Sequence, residues 1–369
     1  MKFLNFPKCS VIMVIAGLVF ANSGLPDVSP ESYSKLLKQA VSEAGSFRGG
    51  YELLSARGSR VGLPTFTPFV ERLHERDVVP YLLKVIREGP DWDDGKFVGR
   101  SALAPHIARC YAVLCLATSK DPNAFPVLFD LLENGKYLKD FGVSEEERQK
   151  HDIRVYAAAG LGILADANGV NVLISTLRDK NPHVRLQSMF ALAKIGDMRA
   201  IKPILEAAVK DTKLDDFAFD ACMRKMTKIN FEGDYSRERK ESTFKDFPEL
   251  GPLKRPEPVY KKVWIHWLNV GKERAKNHFD THFQQWKTTK QAYPDRQPTI
   301  EHHKREMIKY GVAALPFLVE TVQQGEAELI PMVSELTGRQ VKETATREEI
   351  LTWWNNNKQR WLIPFGQIK

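Results

Sequence analysis

Apolar residues recur at intervals of three and four through the middle of the chain, a spacing that predicts amphipathic helices. Short helices of this kind are expected at 124–132, 169–177 and 200–209, each after a longer run rich in small and apolar residues. Helical patterns on the flanks cover 31–46, 217–229, 260–290, 311–323, 327–336 and 348–361. The chain is therefore expected to be all-α.

The longer runs form an internal repeat. Residues 109–121, 154–166 and 185–197 align without gaps, and each runs from an arginine to an aspartate twelve positions on. The second and third copies start 31 residues apart, whereas the first and second start 45 apart. The repeating unit is therefore helix, tight turn, helix, and the polar stretch 134–152 is expected to be an extra surface loop.

The arginine that begins each copy is unexpected on local grounds. A positive charge near a helix N-terminus opposes the helix dipole, so the arginine needs another partner. We expect Arg154 to pair with Asp121 and Arg185 with Asp166, tying each unit to its neighbour. The members of this structural ladder are Arg109, Asp121, Arg154, Asp166, Arg185 and Asp197. We interpret them as structural, and no catalytic residue is assigned.

Two dipeptides mark helix starts inside the repeat. In Asp121–Pro122 and Asn181–Pro182, a side-chain acceptor precedes a proline. Such a side chain accepts a hydrogen bond from an unpaired backbone N–H, and proline has no N–H to leave unpaired at the first helical position. Both dipeptides therefore predict helix N-caps.

The segments Asp179-Lys-Asn-Pro-His-Val-Arg185 and Ala191-Leu-Ala-Lys-Ile-Gly-Asp197 resemble the HEAT repeat, in particular the short bacterial form also found in phycobilin-lyase-like proteins. The resemblance implies an α-solenoid of helical hairpins that acts as a binding scaffold, with a protein partner on its surface. The lyase branch of that family is enzymatic, but this chain has no cofactor-specific signature. No enzymatic activity and no cofactor are therefore expected.

The N-terminus has the layout of a secretory signal peptide. Lys2 and Lys8 precede the unbroken apolar run Val11–Phe20, and small residues follow at Ala21 and Ser23. A membrane-spanning helix needs about 20 apolar residues, which is longer than this run. We therefore expect export to the periplasm or the medium and no membrane span once the signal is removed. An uncleaved anchor is the alternative.

These patterns divide the chain into five parts. We expect a signal peptide at 1–23, an N-terminal helical cap region at 24–100, HEAT-like repeats at 101–232, a loop at 233–258, and a C-terminal helical region with degenerate repeats at 259–369. The loop is inferred from its polar character and its prolines.

Charge and tryptophans are concentrated after the repeats. The chain carries a net charge of +8, and 17 Lys and Arg against 10 Asp and Glu lie between positions 235 and 310. A glycan or polyanion binder is one alternative, because exposed indoles can stack on sugars or bases. Its candidate ligand-binding residues are Trp264, Trp267, Trp286, Trp353 and Trp354. Such aromatic stripes at helical spacing are more often core.

Five of the nine histidines lie between His266 and His303. A helix would place His278 and His282 on one face, close enough to bind one metal ion, with a third ligand from the pair at 302–303. These histidines are the weak candidates for a metal site, and the ordinary interpretation is a surface cluster without metal. An enzyme with a lyase-like or metal-dependent hydrolytic site is the second alternative. The main prediction is an exported scaffold.

Overall fold

The computed structural model describes residues 30–45, 77–91, 104–135, 144–211, 214–234, 241–254 and 258–367. The predicted signal peptide 1–23 lies outside the described residues. Within the described segments, no helix combines the length and the apolar character that a membrane span requires.

Helices account for most of the described residues. They are α1 (Pro30–Gly45), α2 (Val78–Glu88), α3 (Ala104–Ser119), α4 (Ala124–Asn134), α5 (Glu145–Lys150), α6 (Ile153–Leu164), α7 (Val170–Thr176), α8 (Pro182–Ile195), α9 (Ile201–Lys210), α10 (Asp216–Thr227), α11 (Val259–Ala292), α12 (Gln297–Met307), α13 (Leu315–Gln323), α14 (Ile330–Leu336) and α15 (Arg347–Trp361). Short 3₁₀ turns at 167–169, 198–200, 248–250, 311–314 and 327–329 connect several of them. The predicted all-α class is confirmed.

The predicted repeat is a stack of helical hairpins. The first helices α3, α6, α8 and α10 pack against one another in chain order. The second helices α4, α7 and α9 follow them, and α4 and α7 pack against α6 and α8 respectively. At the N-terminal end, α1 and α2 pack on α3, where a solenoid needs a cover for its open end. The architecture is an α-solenoid of helical hairpins with helical flanks.

Small residues explain how closely the first helices pack. In α6, Ala157, Ala158 and Ala159 are fully buried. A Cβ added at Gly160 would lie 2.9 Å from the side chain of Leu128 and 3.2 Å from the Cβ of Ala117. Every side chain of α6 is therefore at least partly buried, and the solvent-facing side of the repeat belongs to the second helices.

The segment after the repeats corrects one prediction. Residues 233–258 were expected to be a loop, but they contain an antiparallel three-stranded sheet of β1 (Gly233–Asp234), β2 (Glu241–Phe244) and β3 (Leu253–Lys254). In β2, buried and exposed side chains alternate, and Phe244 is buried. Phe244 of β2 and Leu253 of β3 are buried, but strands of two to four residues are too short to show a clear alternation in the sequence.

The C-terminal region folds back on the stack. The long helix α11 packs on α9 and α10, and α12 packs along α11. Helix α15 contacts the 198–200 turn, and Arg360 Nη2 donates to the carbonyl of Ile195 at the end of α8 over 2.8 Å. The described C-terminal helices and the repeat stack therefore share one continuous hydrophobic core.

Candidate functional site

The repeat arginines lie where the second helices end. Arg154 donates to Asp179 over 2.7 Å and to Asp152 over 2.6 Å, and Arg185 donates to Asp211 over 2.6 Å. Asp179 follows α7 and Asp211 follows α9, so each arginine joins the start of a first helix to the turn after its own second helix. This ladder is real, but it runs through different aspartates from those expected.

The predicted pairs Arg154–Asp121 and Arg185–Asp166 are therefore wrong. Asp121 and Asp166 stand at the C-terminal ends of first helices, whereas the arginines stand at the N-terminal ends. A helix of 12 residues such as α6 is about 18 Å long, so these charges lie at opposite ends of the stack. Sequence spacing placed the arginine and the aspartate of each copy at opposite ends of a first helix, but it did not show that the aspartates after the second helices share the arginine end.

Arg109 departs from this rule, because the helix end that it contacts belongs to α2, which precedes α3. Its guanidinium donates to the carbonyl of Glu88 at the C-terminal end of α2 over 2.8 Å. Gly89 follows that carbonyl, and a Cβ added there would lie 2.9 Å from Arg109 Nη2. A cation that opposes the dipole of its own helix thus complements the negative end of a neighbouring helix.

The recurrent aspartates have a separate task. The carboxylates of Asp121, Asp166 and Asp197 each accept a hydrogen bond from the backbone N–H two residues on, at 2.8, 2.8 and 3.0 Å. Asp166 and Asp197 cap the 3₁₀ turns at 167–169 and 198–200, which lead into α7 and α9, and each satisfies an N–H that would otherwise be unpaired. Asp121 makes the same bond in the turn before α4, but the N-cap residue of α4 is Asn123, so the prediction of Asp121 as an N-cap is wrong. Asn181 is confirmed as the N-cap of α8, with Pro182 at the first helical position.

The second helices present a mixed polar surface. Arg178, Glu206 and Lys210 border a groove of about 290 Å³ between the ends of α7 and α9. The pair Arg185–Asp211 also lines this groove. We call α4, α7 and α9, together with this groove, the second-helix face. Its charges of both signs, with the exposed Val209 beside them, favour a protein surface as partner.

The tryptophans of α11 are core. Trp264, Trp267 and Trp286 have no exposed surface, so they cannot form the predicted ligand-stacking row. Trp264 Nε1 donates to Asp220 Oδ1 over 2.9 Å, which joins α11 to α10. Trp353 and Trp354 of α15 are half-buried, and their part of the prediction stays open.

The histidines converge along the seam between α11 and α12. His278 Nε2 lies 3.3 Å and His282 Nε2 lies 3.9 Å from Glu306 Oε2. On the other side of its ring, His282 Nδ1 lies 3.2 Å from His303 Nδ1. We call these four residues the histidine cluster. Burial lowers the pKa of His278, His282 and His303 from the ordinary value, which favours their neutral imidazoles at pH 7.

A cavity adjoins the cluster. It has a volume of about 470 Å³ and is lined by Val270, Glu273, Arg274, Asn277, His278, Thr281 and Tyr310. Burial raises the pKa of Tyr310, so its phenol stays protonated at pH 7. The ring of His278 packs edge-on against Tyr310, and the centroids are 5.2 Å apart. One wall of the histidine cluster is therefore open to a molecule in this cavity.

Two of these elements were missed from the sequence. Asp179 and Asp211 follow Arg154 and Arg185 by 25 and 26 residues, which is a signal that a comparison of copies could have found. Glu306 comes three residues after His303, one helical turn away, but only the packing of α12 on α11 brings it to His278. Cys110, Cys115 and Cys222 are free and buried, and burial raises the pKa of Cys115 to about 12.

The stacked helical hairpins, with their repeated caps and ion pairs, define the class of protein as an α-solenoid. Residues 146–218, from α5 to the start of α10, match the HEAT-repeat family. This part of the chain consists of HEAT repeats, and helical repeats of this kind commonly mediate protein interactions. No curated protein and no solved structure matches the chain.

Proposed function

We propose that this protein is an extracytoplasmic scaffold that binds a protein partner on its second-helix face. The observation that carries the proposal is the difference in side-chain exposure between the first and second helices of the hairpins. The first helices are taken up by packing, whereas the second helices keep exposed charged and apolar side chains along a groove. A stack built in this way leaves one continuous surface for recognition.

The chemistry of the face points to protein over polyanion. Its exposed residues include Asp130 and Glu133 on α4 as well as Arg178 and Lys210 beyond, so charges of both signs alternate along it. A surface for phosphates or sulfates would be dominated by Lys and Arg. The excess positive charge of the chain lies instead between positions 235 and 310.

Photo-crosslinking tests the face directly. A photoreactive residue at Val209, which is 45% exposed on the second-helix face, is expected to trap a discrete protein in the native envelope fraction. The matched control is the same residue at Leu362, which is 40% exposed after α15. Equal trapping at both positions, or none at Val209, would contradict the proposal.

Charge reversal gives a second measure. The double change Arg178→Glu and Lys210→Glu is expected to weaken binding of the trapped partner at least tenfold, because rim charges steer association and disfavour wrong partners. Lys287→Glu on α11 is the control and should leave binding unchanged. The result would count against the second-helix face if both changes had the same effect.

Export is tested by the mature N-terminus. The apolar run Val11–Phe20 supports a cleaved signal, so the protein from the envelope is expected to begin after Ala21 or Ser23. N-terminal sequencing of the native protein reads this out. A chain that keeps Met1 and stays with the cytosolic fraction would overturn the extracytoplasmic part of the proposal.

A further inference from the structure

We propose that His278, His282 and Glu306 bind one divalent transition-metal ion, with zinc as the best fit, and that His303 positions His282. The proposal rests on four side chains from two helices, whose ligand atoms face one another along the seam. It goes beyond the scaffold function, because the histidine cluster lies on α11 and α12, away from the second-helix face.

The first argument is convergence. Among the described residues, His278, His282 and Glu306 form the one group of three potential ligands whose binding atoms all lie within 4.8 Å of one another. Atoms that bind zinc at about 2.0–2.2 Å in a tetrahedron lie about 3.3–3.6 Å apart. The distances from Glu306 Oε2, 3.3 Å to His278 Nε2 and 3.9 Å to His282 Nε2, are near this range.

The second argument is an unsatisfied atom. His278 Nε2 is buried and has no hydrogen-bond partner among the described residues, although Glu306 Oε2 is 3.3 Å away. The contact is at ion-pair distance and is not a well-formed hydrogen bond. A buried polar atom without a well-formed hydrogen bond is unfavourable, so the site favours an occupant that both the nitrogen and the carboxylate can bind. A cation between them meets that need.

The third argument is the tautomer of His282. Its Nδ1 lies 3.2 Å from His303 Nδ1, so one of these nitrogens donates and the other accepts. If His282 Nδ1–H donates, its Nε2 keeps a free lone pair toward Glu306. Metal-binding histidines commonly donate their second ring N–H to a nearby acceptor in this way. We assign His303 Nδ1 as the acceptor of this bond, which leaves His282 in the tautomer that a metal requires.

The donor set selects the ion. Two imidazoles and one carboxylate suit zinc and its neighbours in the first transition row, whereas calcium and magnesium prefer sets made wholly of oxygen. Lys309, whose charge acts on His278, is held by Asp246 at 3.0 Å and is not paired with Glu306. Three protein ligands leave a fourth position, and His278 also lines the adjoining cavity.

The test is zinc titration of the purified full-length protein, without an affinity tag, after removal of metal with a chelator. We expect one equivalent of zinc to bind with a dissociation constant of about 1 µM or below, measured by competition with a chromophoric chelator. Cobalt in place of zinc should give the intense visible absorption of a tetrahedral site. Failure to bind zinc below about 100 µM would overturn the proposal.

Variants assign the ligands. His278→Ala, His282→Ala and Glu306→Gln are each expected to weaken zinc binding at least a hundredfold, and His303→Ala about tenfold to a hundredfold. The matched control is His302→Ala, which changes the exposed neighbour of His303 and should leave affinity unchanged. Zinc bound equally by all five variants would overturn the proposal.

Folding of the variants is checked by circular dichroism. The side chains of His278, His282 and Glu306 are 22%, 17% and 31% exposed, so the helices are expected to persist. The cobalt spectrum of the unaltered protein decides the case independently of any variant. Partner crosslinking at Val209 is read separately, so a failed metal site leaves the scaffold proposal standing, and the reverse also holds.

Discussion

The repeat stack, residues 104–227, and the C-terminal region, residues 258–367, pack their helices through different kinds of side chain. In the stack, alanines and glycines let short helices approach closely, and the arginines of the ladder pair with aspartates at the ends of the second helices. In the C-terminal region, a single helix of 34 residues buries three tryptophans and gathers histidines along its seam. The stack is regular, whereas the C-terminal region is specialised.

The difference teaches where chemistry can accumulate in such a protein. A repeated unit must leave the same groups free at every copy, so its polar residues are used for caps and for the ladder. The region that follows is under no such constraint, and its polar residues can cluster once. The histidine cluster and the adjoining cavity both lie there.

The largest expected effect comes from the junction of the two regions. Trp264→Ala removes a fully buried indole and its hydrogen bond to Asp220, and it should lower the free energy of unfolding by about 4 kcal/mol. Urea denaturation measures it. Trp354→Ala, at a half-buried position, is the control and should cost less than about 1.5 kcal/mol. Similar losses in the two variants would mean that the junction is not a core.

The ladder is the next test, and it acts inside the stack. Arg154→Ala leaves Asp152, whose side chain has no exposed surface, without its charged partner, so we expect a loss of about 3 kcal/mol with helix content near native. Arg178→Ala is the control, because the Arg178 side chain is 76% exposed and its contact with Glu206 is long, at 4.0 Å. An unchanged unfolding midpoint for Arg154→Ala would show that the ladder does not stabilise the stack.

The two regions also differ in how much their sequences reveal. Periodic apolar residues and repeated caps predicted the hairpins of the stack, since each local signal agrees with the fold. They could not predict that Arg154 meets Asp179, because the length and direction of each helix decide which charges share an end. The sheet at 233–254 was missed, because strands of two to four residues leave almost no alternation to detect.

The histidine cluster was half predicted. The spacing of His278 and His282 identified one helix face, which the structure confirms as a seam. The third member, Glu306, depends on how α12 returns along α11 after the turn at 293–296, and a sequence pattern carries no information about that angle. For the same reason the burial of Trp264 and Trp267 could not be predicted, because aromatic residues at helical spacing give the same sequence pattern whether they face a core or a ligand.

A pH titration is the third test and concerns the first helix of the stack. His106 Nε2 donates to the carbonyl of His151 over 2.6 Å, and burial lowers its pKa to about 4, with His151, Arg109 and Asp152 as the charges that face it. The ordinary pKa is about 6.5, so the unfolded chain binds the proton more readily between pH 6.5 and 4.

The stabilising contribution of His106 is therefore complete above about pH 6.5 and is lost as the pH falls. We expect the free energy of unfolding to fall by about 1.4 kcal/mol per pH unit, or about 2 kcal/mol by pH 5. His106→Gln keeps a donor for the carbonyl and should remove this part of the slope. Parallel pH profiles for the two proteins would argue against a neutral buried His106.

The smallest effect asks whether the two regions unfold together. Thr346 caps α15, where its Oγ1 accepts from Glu349 N and its own N–H donates to Glu349 Oε2 over 2.7 Å. Asp215 caps α10 and accepts from Ala218 N over 2.8 Å. Thr346→Ala and Asp215→Ala should each cost about 1 kcal/mol.

If one shared core makes the regions cooperative, both variants shift a single calorimetric transition by the same amount. Two transitions, each moved by only one variant, would show that the C-terminal region unfolds independently of the stack, as coupling between neighbouring units alone would permit.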